Sequence, residues 1–259
     1  MRQIFAIIFL GGVLSATFAV DEPLSPEEIK MILVNSLSPP PQYYDSALVR
    51  AESAIKYAVI DTPVVAVVNW VFACDQRKIF RLDSVSVKSV AVFSASDGKW
   101  FPVERQDVVS EQNLRDLGKI LLYPFFLARK NFAGYSLSVL KKKVVIDDIE
   151  CYKVKVKPRK EDNDEESPFY GYFYISDEDH PRPVRFEHRR KSTTGVSLIR
   201  WDFAKLDGID CYFPDKVLIG VEAQMCDYDF GAQVRISMGR MEGVSKFNHR
   251  GGNAGGTTQ

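Results

Sequence analysis

Alternation of apolar and polar residues dominates the chain from residue 63 onward. In residues 199–204, for example, Ile199, Trp201 and Phe203 alternate with more polar neighbours. In a strand, this two-residue period puts successive side chains on opposite faces of the sheet, so that one face is buried and the other is exposed to water. Segments of this kind, rich in β-branched and aromatic residues and separated by turn signals, predict consecutive antiparallel strands. They cover residues 64–74, 77–83, 85–94, 135–146, 150–157, 169–176, 183–191, 196–206, 211–220 and 226–238. The predicted turns between them are Asp75-Gln76, Asp97-Gly98, Asp147-Asp148, Thr193-Thr194-Gly195 and Asp207-Gly208.

Helical spacing is limited to three regions. Ser25-Pro26-Glu27-Glu28 forms a capping box ahead of apolar residues at helical spacing, which predicts a short amphipathic helix. A second helix is expected over 44–57, through Leu48, Ala51 and Ile55. Ser110 is a candidate N-cap for a helix over 111–117, and an apolar run at 120–127 that contains Pro124 follows it. Strands therefore outnumber helices. The chain shows no β-α-β alternation, so we do not expect a parallel sheet.

Large aromatic residues lie on the apolar side of several predicted strands. This pattern predicts one long curved sheet with a wet convex face and an apolar concave face that a few short helices cover in part. An acyl chain could lie in a cavity between helix and sheet. The same aromatics could instead fill a closed core, and periodicity alone favours that alternative. The residues expected to line such a cavity are Trp70, Phe72, Phe80, Trp100, Tyr123, Phe126, Phe173, Phe186, Trp201 and Phe203.

The two ends of the chain differ from the rest. Arg2 precedes an apolar run over residues 4–14, and Thr17-Phe18-Ala19 fits a small-x-small cleavage pattern. This predicts a signal peptide over 1–19, cut after Ala19, because the run is too short to span a bilayer. We expect a single domain over 20–247, followed by a flexible Gly-, Asn- and Thr-rich tail over 248–259.

Charge and cysteine content limit the possible partners. Lys plus Arg and Asp plus Glu both total 34, so no net field attracts nucleic acid, and partners should be selected by shape and apolar contact. After cleavage no segment is expected to span a membrane, and a monomer is expected. The four cysteines are Cys74, Cys151, Cys211 and Cys226. In an oxidising compartment they could form one or two disulfides in any of three pairings, or they could remain buried thiols.

Motifs for catalysis are missing from the sequence. The three histidines show no metal-ligand spacing, and neither a nucleophile elbow nor a phosphate-binding glycine loop occurs. The sequence therefore predicts a binding protein with no enzymatic activity, no metal and no cofactor.

Three motifs resemble a known family. They are residues 147–154 (DDIECYKV), residues 173–176 (FYIS) with 180–186 (HPRPVRF), and residues 201–209 (WDFAKLDGI) with 213–217 (FPDKV). In these segments the chain resembles periplasmic outer-membrane lipoprotein carriers and lipoprotein-sorting proteins, a LolA-like family. The resemblance extends over residues 144–238 and, more loosely, over 64–132.

The resemblance implies an unclosed antiparallel β-barrel, or half-barrel, whose apolar concave face is lidded by helices and shields acyl chains. It also implies a periplasmic carrier of lipid or acylated lipoprotein that works in outer-membrane lipoprotein sorting, with an inner-membrane donor and an outer-membrane acceptor as partners. Arg77 and Arg81 are candidates for the basic residue that contacts cargo in this family. The alternative is a sensory or protein-interaction domain on the same fold, with no enzymatic activity.

Overall fold

The computed structural model describes residues 24–38, 47–59, 63–74, 80–104, 109–159, 170–192, 195–225 and 228–245. The predicted signal peptide and the predicted tail lie outside these residues. The described part contains helices α1 (Pro26–Ser36) and α2 (Glu111–Arg129) and twelve strands. The strands are β1 (Ala47–Val59), β2 (Val64–Cys74), β3 (Phe80–Ser94), β4 (Lys99–Pro102), β5 (Tyr135–Val139), β6 (Val144–Ile146), β7 (Ile149–Pro158), β8 (Tyr170–Ser176), β9 (Pro183–Ser192), β10 (Gly195–Lys205), β11 (Tyr212–Met225) and β12 (Tyr228–Ser245).

All twelve strands form one antiparallel sheet. Their order is β4-β3-β2-β1-β12-β11-β10-β9-β8-β7-β5, and β6 pairs with β7 beside β5. Strand β1 pairs with both β2 and β12, so it joins an N-terminal meander to a longer C-terminal one. The end strands β4 and β5 do not pair with each other, so the sheet is an open half-barrel. This confirms the predicted fold class.

Helix α2 connects the two ends of the sheet. The chain leaves the sheet at β4, forms α2 and re-enters at β5, at the opposite end of the strand order. The helix packs on β3 and on α1. One side of α2 joins the main core together with α1 and the apolar face of the sheet, through Leu114, Leu117, Leu121, Phe125 and Ala128. Both helices therefore cover the apolar face, as predicted.

Local signals identified several helix ends and turns correctly. Ser25 Oγ accepts from the Glu28 amide at 3.2 Å and the Glu28 carboxylate accepts from the Ser25 amide at 2.7 Å, which completes the predicted capping box. Hydrogen bonds from the side chain and the amide of Ser25 to the Glu28 carboxylate also lower the pKa of Glu28. Asp147 and Asp148 both have positive φ and connect β6 to β7, as a tight two-residue hairpin turn requires. Gly98 and Gly208 also have positive φ, at the other two predicted turns that are described.

The helix predicted over 44–57 is wrong, since residues 47–59 form strand β1. Burial alternates along this strand: Val49, Ala51, Ser53 and Ile55 are buried. The buried Ser53 accepts a hydrogen bond of 2.7 Å from the indole nitrogen of Trp70 on β2. Leu48, Ala51 and Ile55 also fit a helical period, so the sequence pattern was ambiguous, and pairing with strands on both sides decided the structure.

Three predicted boundaries also need correction. Where the sequence predicted two strands, 77–83 and 85–94, the described residues form the single strand β3, Phe80–Ser94. Residues 77–79 lie outside the described residues. The predicted strand 135–146 is two strands, β5 and β6. The predicted helix 111–117 and the apolar run 120–127 form one helix of 19 residues that continues through Pro124.

Pro124 changes the hydrogen bonding inside α2. Proline has no amide hydrogen, so it cannot donate to the carbonyl of Ile120, four residues earlier. The indole nitrogen of Trp201 on β10 donates to that carbonyl at 2.9 Å. Trp201 is 0% exposed, so this contact lies between the helix and the centre of the C-terminal meander. The hydrogen bond therefore connects α2 to the sheet at the point where the helix lacks its own donor.

Replacing Trp201 with Phe keeps an aromatic ring but removes the indole donor. We expect the free energy of unfolding to fall by about 2 kcal/mol in urea denaturation, partly because the Ile120 carbonyl loses its partner. In a Pro124→Ala background the amide of residue 124 can donate to that carbonyl. Trp201→Phe should then cost at least about 1 kcal/mol less. Equal costs in the two backgrounds would show that the hydrogen bond does not depend on the proline.

Close packing between β8 and β9 requires a glycine. A Cβ atom on Gly171 would lie 2.8 Å from Cε2 of Phe186 and 2.9 Å from the carbonyl oxygen of Glu187. The backbone oxygen cannot move without disturbing the pairing of β8 with β9. Gly220 on β11 has nothing within 4 Å of its ideal Cβ position. The two glycines therefore differ in the space available to a side chain.

Gly171→Ala should lower the free energy of unfolding by about 1–3 kcal/mol through overpacking. Gly220→Ala is the matched control, and it should be neutral or slightly stabilising because alanine loses less backbone entropy than glycine on folding. Thermal and urea unfolding of both variants provide the test. An equal loss in both variants would contradict the close approach at Gly171.

Candidate functional site: a cleft between helix α2 and strand β3

A stack of aromatic rings crosses the C-terminal meander. Phe173, Phe186 and Trp201 are directly opposite one another on β8, β9 and β10. Their ring centroids are 4.1 Å apart for Phe173 and Phe186 and 5.0 Å apart for Phe186 and Trp201. Tyr123 of α2 stacks on this group, 6.0 Å from Trp201. The centre of the concave face is therefore closed by side chains.

A second aromatic cluster packs around Phe213 and includes residues of β2, β3 and α2. Phe213 lies 5.2 Å from Phe72, 5.6 Å from Phe80 and 5.1 Å from Phe125 of α2, centroid to centroid. Trp70 stacks beside Phe72 at 6.0 Å. Both clusters contact α2, so the helix seals most of the concave face. The closed-core alternative from the sequence describes this central region.

A cleft remains open beside the second cluster, between α2 and the start of β3. Its volume is about 520 Å³, within the range of small-molecule binding sites. Phe80 is buried to 1% exposure, whereas Phe126 at the helix side is 42% exposed. Nine residues line the cleft: Phe80, Arg81 and Leu82 from β3, and Gln112, Arg115, Lys119, Leu122, Tyr123 and Phe126 from α2.

The lining of the cleft changes character along α2. The lining residues of α2 are spaced three or four positions apart, with Tyr123 beside Leu122, so they form one stripe along the helix. Gln112, Arg115 and Lys119 occupy the N-terminal part, and Leu122 and Phe126 follow towards the C-terminus. The rise of 1.5 Å per residue separates Arg115 from Phe126 by about 16 Å. The cleft therefore has a cationic end and an apolar end.

The cationic end carries more positive than negative charge. Arg115 and Lys119 lie at this end, Arg81 lines the cleft from β3, and no carboxylate is among the nine lining residues. Arg115 pairs with Glu111 at 2.7 Å and Lys119 pairs with Asp116 at 2.7 Å, both within α2. The pairing lowers the pKa of the Asp116 carboxyl. These pairs are largely exposed, and exposed pairs of this kind contribute little to stability.

The structure places the ten predicted cavity residues in four environments. Phe80, Tyr123 and Phe126 come together in the cleft. Phe203 is buried with 8% exposure, and Trp100 is 48% exposed on the end strand β4, against Phe93. The remaining five lie in the two aromatic clusters, with no more than 1% exposure: Trp70, Phe72, Phe173, Phe186 and Trp201.

Five cleft residues were absent from the sequence prediction of the cavity. Gln112, Arg115, Lys119 and Leu122 share a helical period with Phe126, and this signal was available in the sequence. It was lost because the prediction ended one helix at Leu117 and treated 120–127 separately. Leu82 gave no comparable signal. It lies on β3 among mostly exposed residues, so no regular apolar period marks its position in the sequence. Arg81 was named from the family resemblance, and Arg77 lies outside the described residues.

Burial raises the pKa values of several groups. Burial raises the pKa of the Cys211 thiol to about 12, with a smaller contribution from the charge of Cys74, and raises that of Cys151 to about 11. It also raises the pKa of Tyr123 above its usual range. In the described ranges, no group of three or more His, Cys, Asp or Glu side chains could hold a metal ion.

Cys226 lies outside the described residues, while Cys74, Cys151 and Cys211 are all buried. No helix in the described portion of the chain is long and apolar enough to cross a bilayer.

Comparison with known proteins gives remote structural likenesses. No protein-family model and no curated protein matches the chain. A DUF1329 family protein from Desulfovibrio piger aligns over 85% of this chain and 93% of its own, with a TM-score of 0.44 and 10% identity. A Vibrio parahaemolyticus domain assigned as an outer membrane lipoprotein-sorting protein aligns over 76% and 85%, with a TM-score of 0.41 and 6% identity. A structure of the Pseudomonas aeruginosa MucA/MucB complex aligns over 83% and 94%, with a TM-score of 0.25 and 8% identity. At TM-scores below 0.5, these likenesses assign neither a family nor a ligand.

The raised thiol pKa values predict that stability falls in alkali. An unfolded thiol loses its proton near pH 9.0, whereas folded Cys151 keeps its proton to about pH 11 and Cys211 to about pH 12. In that window the folded state binds more protons, so rising pH favours unfolding. The urea midpoint should therefore decrease progressively above pH 9. The decrease should be shallower in a Cys151→Ala, Cys211→Ala variant, and identical slopes would contradict the assignment.

Proposed function

We propose that this protein is a non-enzymatic carrier that shields the acyl chain of a lipid or lipoprotein in the cleft between α2 and β3. The supporting observation is the cleft itself, where apolar Phe80, Leu122 and Phe126 lie next to a cationic rim. Each buried methylene contributes about 0.8 kcal/mol, so a chain of ordinary length gains enough to bind. The titratable groups of the cleft form no nucleophile, acid or metal centre.

The wider role in this proposal follows from the sequence. The predicted signal peptide exports the chain to the periplasm, where the resemblance to lipoprotein carriers favours a part in outer-membrane lipoprotein sorting. A donor at the inner membrane and an acceptor at the outer membrane would then be its partners, and the carrier would act as a monomer. Movement of α2 away from β3 would widen the cleft and aid release of the acyl chain. The Trp201 hydrogen bond to Ile120 opposes that movement.

A second candidate is a sensory or protein-interaction domain with a filled core. The observation in its favour is the near-complete burial of the two aromatic clusters, which leaves no acyl-sized space at the centre of the concave face. Trp100 and Phe101 are exposed on the end strand β4, and a partner strand could pair with such an edge. This candidate predicts no stoichiometric lipid in the purified protein and a stable protein partner.

Phe126→Asp tests the carrier proposal. This side chain is 42% exposed, so the change should leave the fold intact. Loss of the aromatic contact and burial of a carboxylate against the acyl chain should weaken binding of a dodecyl-chain ligand by about ten- to a hundredfold. The measurement is isothermal titration with dodecylphosphocholine below its micelle concentration, together with native mass spectrometry of the protein purified without detergent.

Phe101→Asp is the matched control. Phe101 has a similar exposure, 45%, but it pairs with Val92, ten residues along β3 from Leu82. At about 3.3 Å per residue this is far from the cleft, so binding should be unchanged. A carrier site in the cleft is refuted if Phe126→Asp binds like the unmodified protein, or if the unmodified protein binds no alkyl ligand. Loss of a protein partner in Phe101→Asp would favour the second candidate.

A further inference from the structure

We propose that the cleft selects single-chain amphiphiles whose headgroup is a phosphate or carboxylate with a net negative charge, an inference that rests on the proposed acyl-binding function. The two ends of the cleft fit the two ends of such a molecule. The tail lies along Leu122 and Phe126, and the headgroup lies among Arg81, Arg115 and Lys119. Nothing in the acyl-binding function by itself requires a charged headgroup.

The chemistry of the rim favours an oxyanion over other headgroups. Arginine guanidinium groups present paired donors that match the oxygens of phosphate and carboxylate. Arg81 comes from the strand side and Arg115 from the helix side, so a headgroup between them can contact both walls of the cleft. Lys119 adds a third positive charge one helical turn further along. A quaternary ammonium headgroup would meet like charge at the same place.

The partners of the rim cations do not prevent binding. Glu111 and Asp116 are exposed by 67% and 52%, and each pairs along the helix with a cation. Such exposed pairs contribute little to stability, so Arg115 and Lys119 can turn to a ligand at small cost. The two carboxylates leave a net positive charge when Arg81 is included. An anionic headgroup therefore compensates the excess positive charge that the described residues place around the cleft.

The dimensions of the cleft favour a single chain. Its volume is about 520 Å³, and the neighbouring aromatic rings of Phe80, Phe125 and Phe213 are in mutual contact. Phe80 and Phe213 are exposed by no more than 1%, so the floor of the cleft is closed. Additional chains would have to separate α2 from the sheet and break its hydrogen bond to Trp201. One chain can be accommodated without that change.

The test compares ligands that share a dodecyl chain and differ in headgroup. Dodecyl phosphate and dodecanoate should bind at least about tenfold more tightly than dodecylphosphocholine and dodecanol, because only their headgroups bring a net negative charge to the charge-assisted hydrogen bonds of the rim. Affinity for the anionic ligands should fall with added salt. Inorganic phosphate should bind far more weakly than dodecyl phosphate. Isothermal titration of the full mature chain provides these values.

Charge variants locate the effect. The double variant Arg81→Gln, Arg115→Gln should bind all four dodecyl ligands with similar affinity, because the headgroup contacts are gone and the apolar wall remains. The control Lys141→Gln, Lys142→Gln changes the net charge equally at exposed positions outside the cleft lining. It should keep the preference for anionic ligands.

Each outcome separates this inference from the proposed function. If the four dodecyl ligands bind equally to the unmodified protein, the headgroup inference is overturned while the acyl-binding function stands. If none binds, both fail. If inorganic phosphate binds as tightly as dodecyl phosphate, the site is for a free anion and the amphiphile inference is overturned. Retention of the preference in the Arg81, Arg115 variant, or its loss in the control, would also overturn the assignment to the rim.

Discussion

The hydrogen bond from the Trp201 indole to the Ile120 carbonyl fixes the position of helix α2 on the sheet. Apolar contacts hold the helix against the concave face, but such contacts are non-directional and allow sliding. A directional bond between one backbone carbonyl and one side chain does not. Pro124 makes the carbonyl available by removing the amide that would otherwise satisfy it. The position of every other α2 side chain, including those of the cleft, depends on this attachment.

The position of α2 separates the stabilising part of the concave face from the open part. The helix closes over the aromatic stack of Phe173, Phe186 and Trp201, and over the cluster that surrounds Phe213. These residues are too well packed to be exposed by a ligand without large cost. The cleft lies beside them, between the helix and the beginning of β3. Binding at this edge leaves the core intact, so a ligand can enter without unfolding the centre of the sheet.

The same division explains why carrier and interaction scaffold remain close alternatives for this fold. The filled centre is what an interaction scaffold needs, and the cleft is what a carrier needs. Phe126 and the rim cations belong to neither aromatic cluster, and their exposure is not required for stability. Phe126 is an exposed aromatic side chain that lies beside an apolar floor and three cationic side chains. A ligand explains this exposure more readily than folding does. This feature gives the carrier proposal its advantage.

The sequence by itself determined those features that depend on neighbouring residues. Alternation predicted the C-terminal strands and the mainly β fold, the Ser25 and Glu28 pair predicted the start of α1, and Asp147-Asp148 predicted a hairpin turn. Tertiary structure decided the rest, because it depends on contacts between distant residues. Residues 47–59 are a strand because β2 and β12 pair with them on both sides. Helix α2 continues through Pro124, with Trp201, 81 residues away, bonding the carbonyl that the proline leaves without a donor. Which predicted cavity residues are buried, and which reach the cleft, followed from where that helix lies.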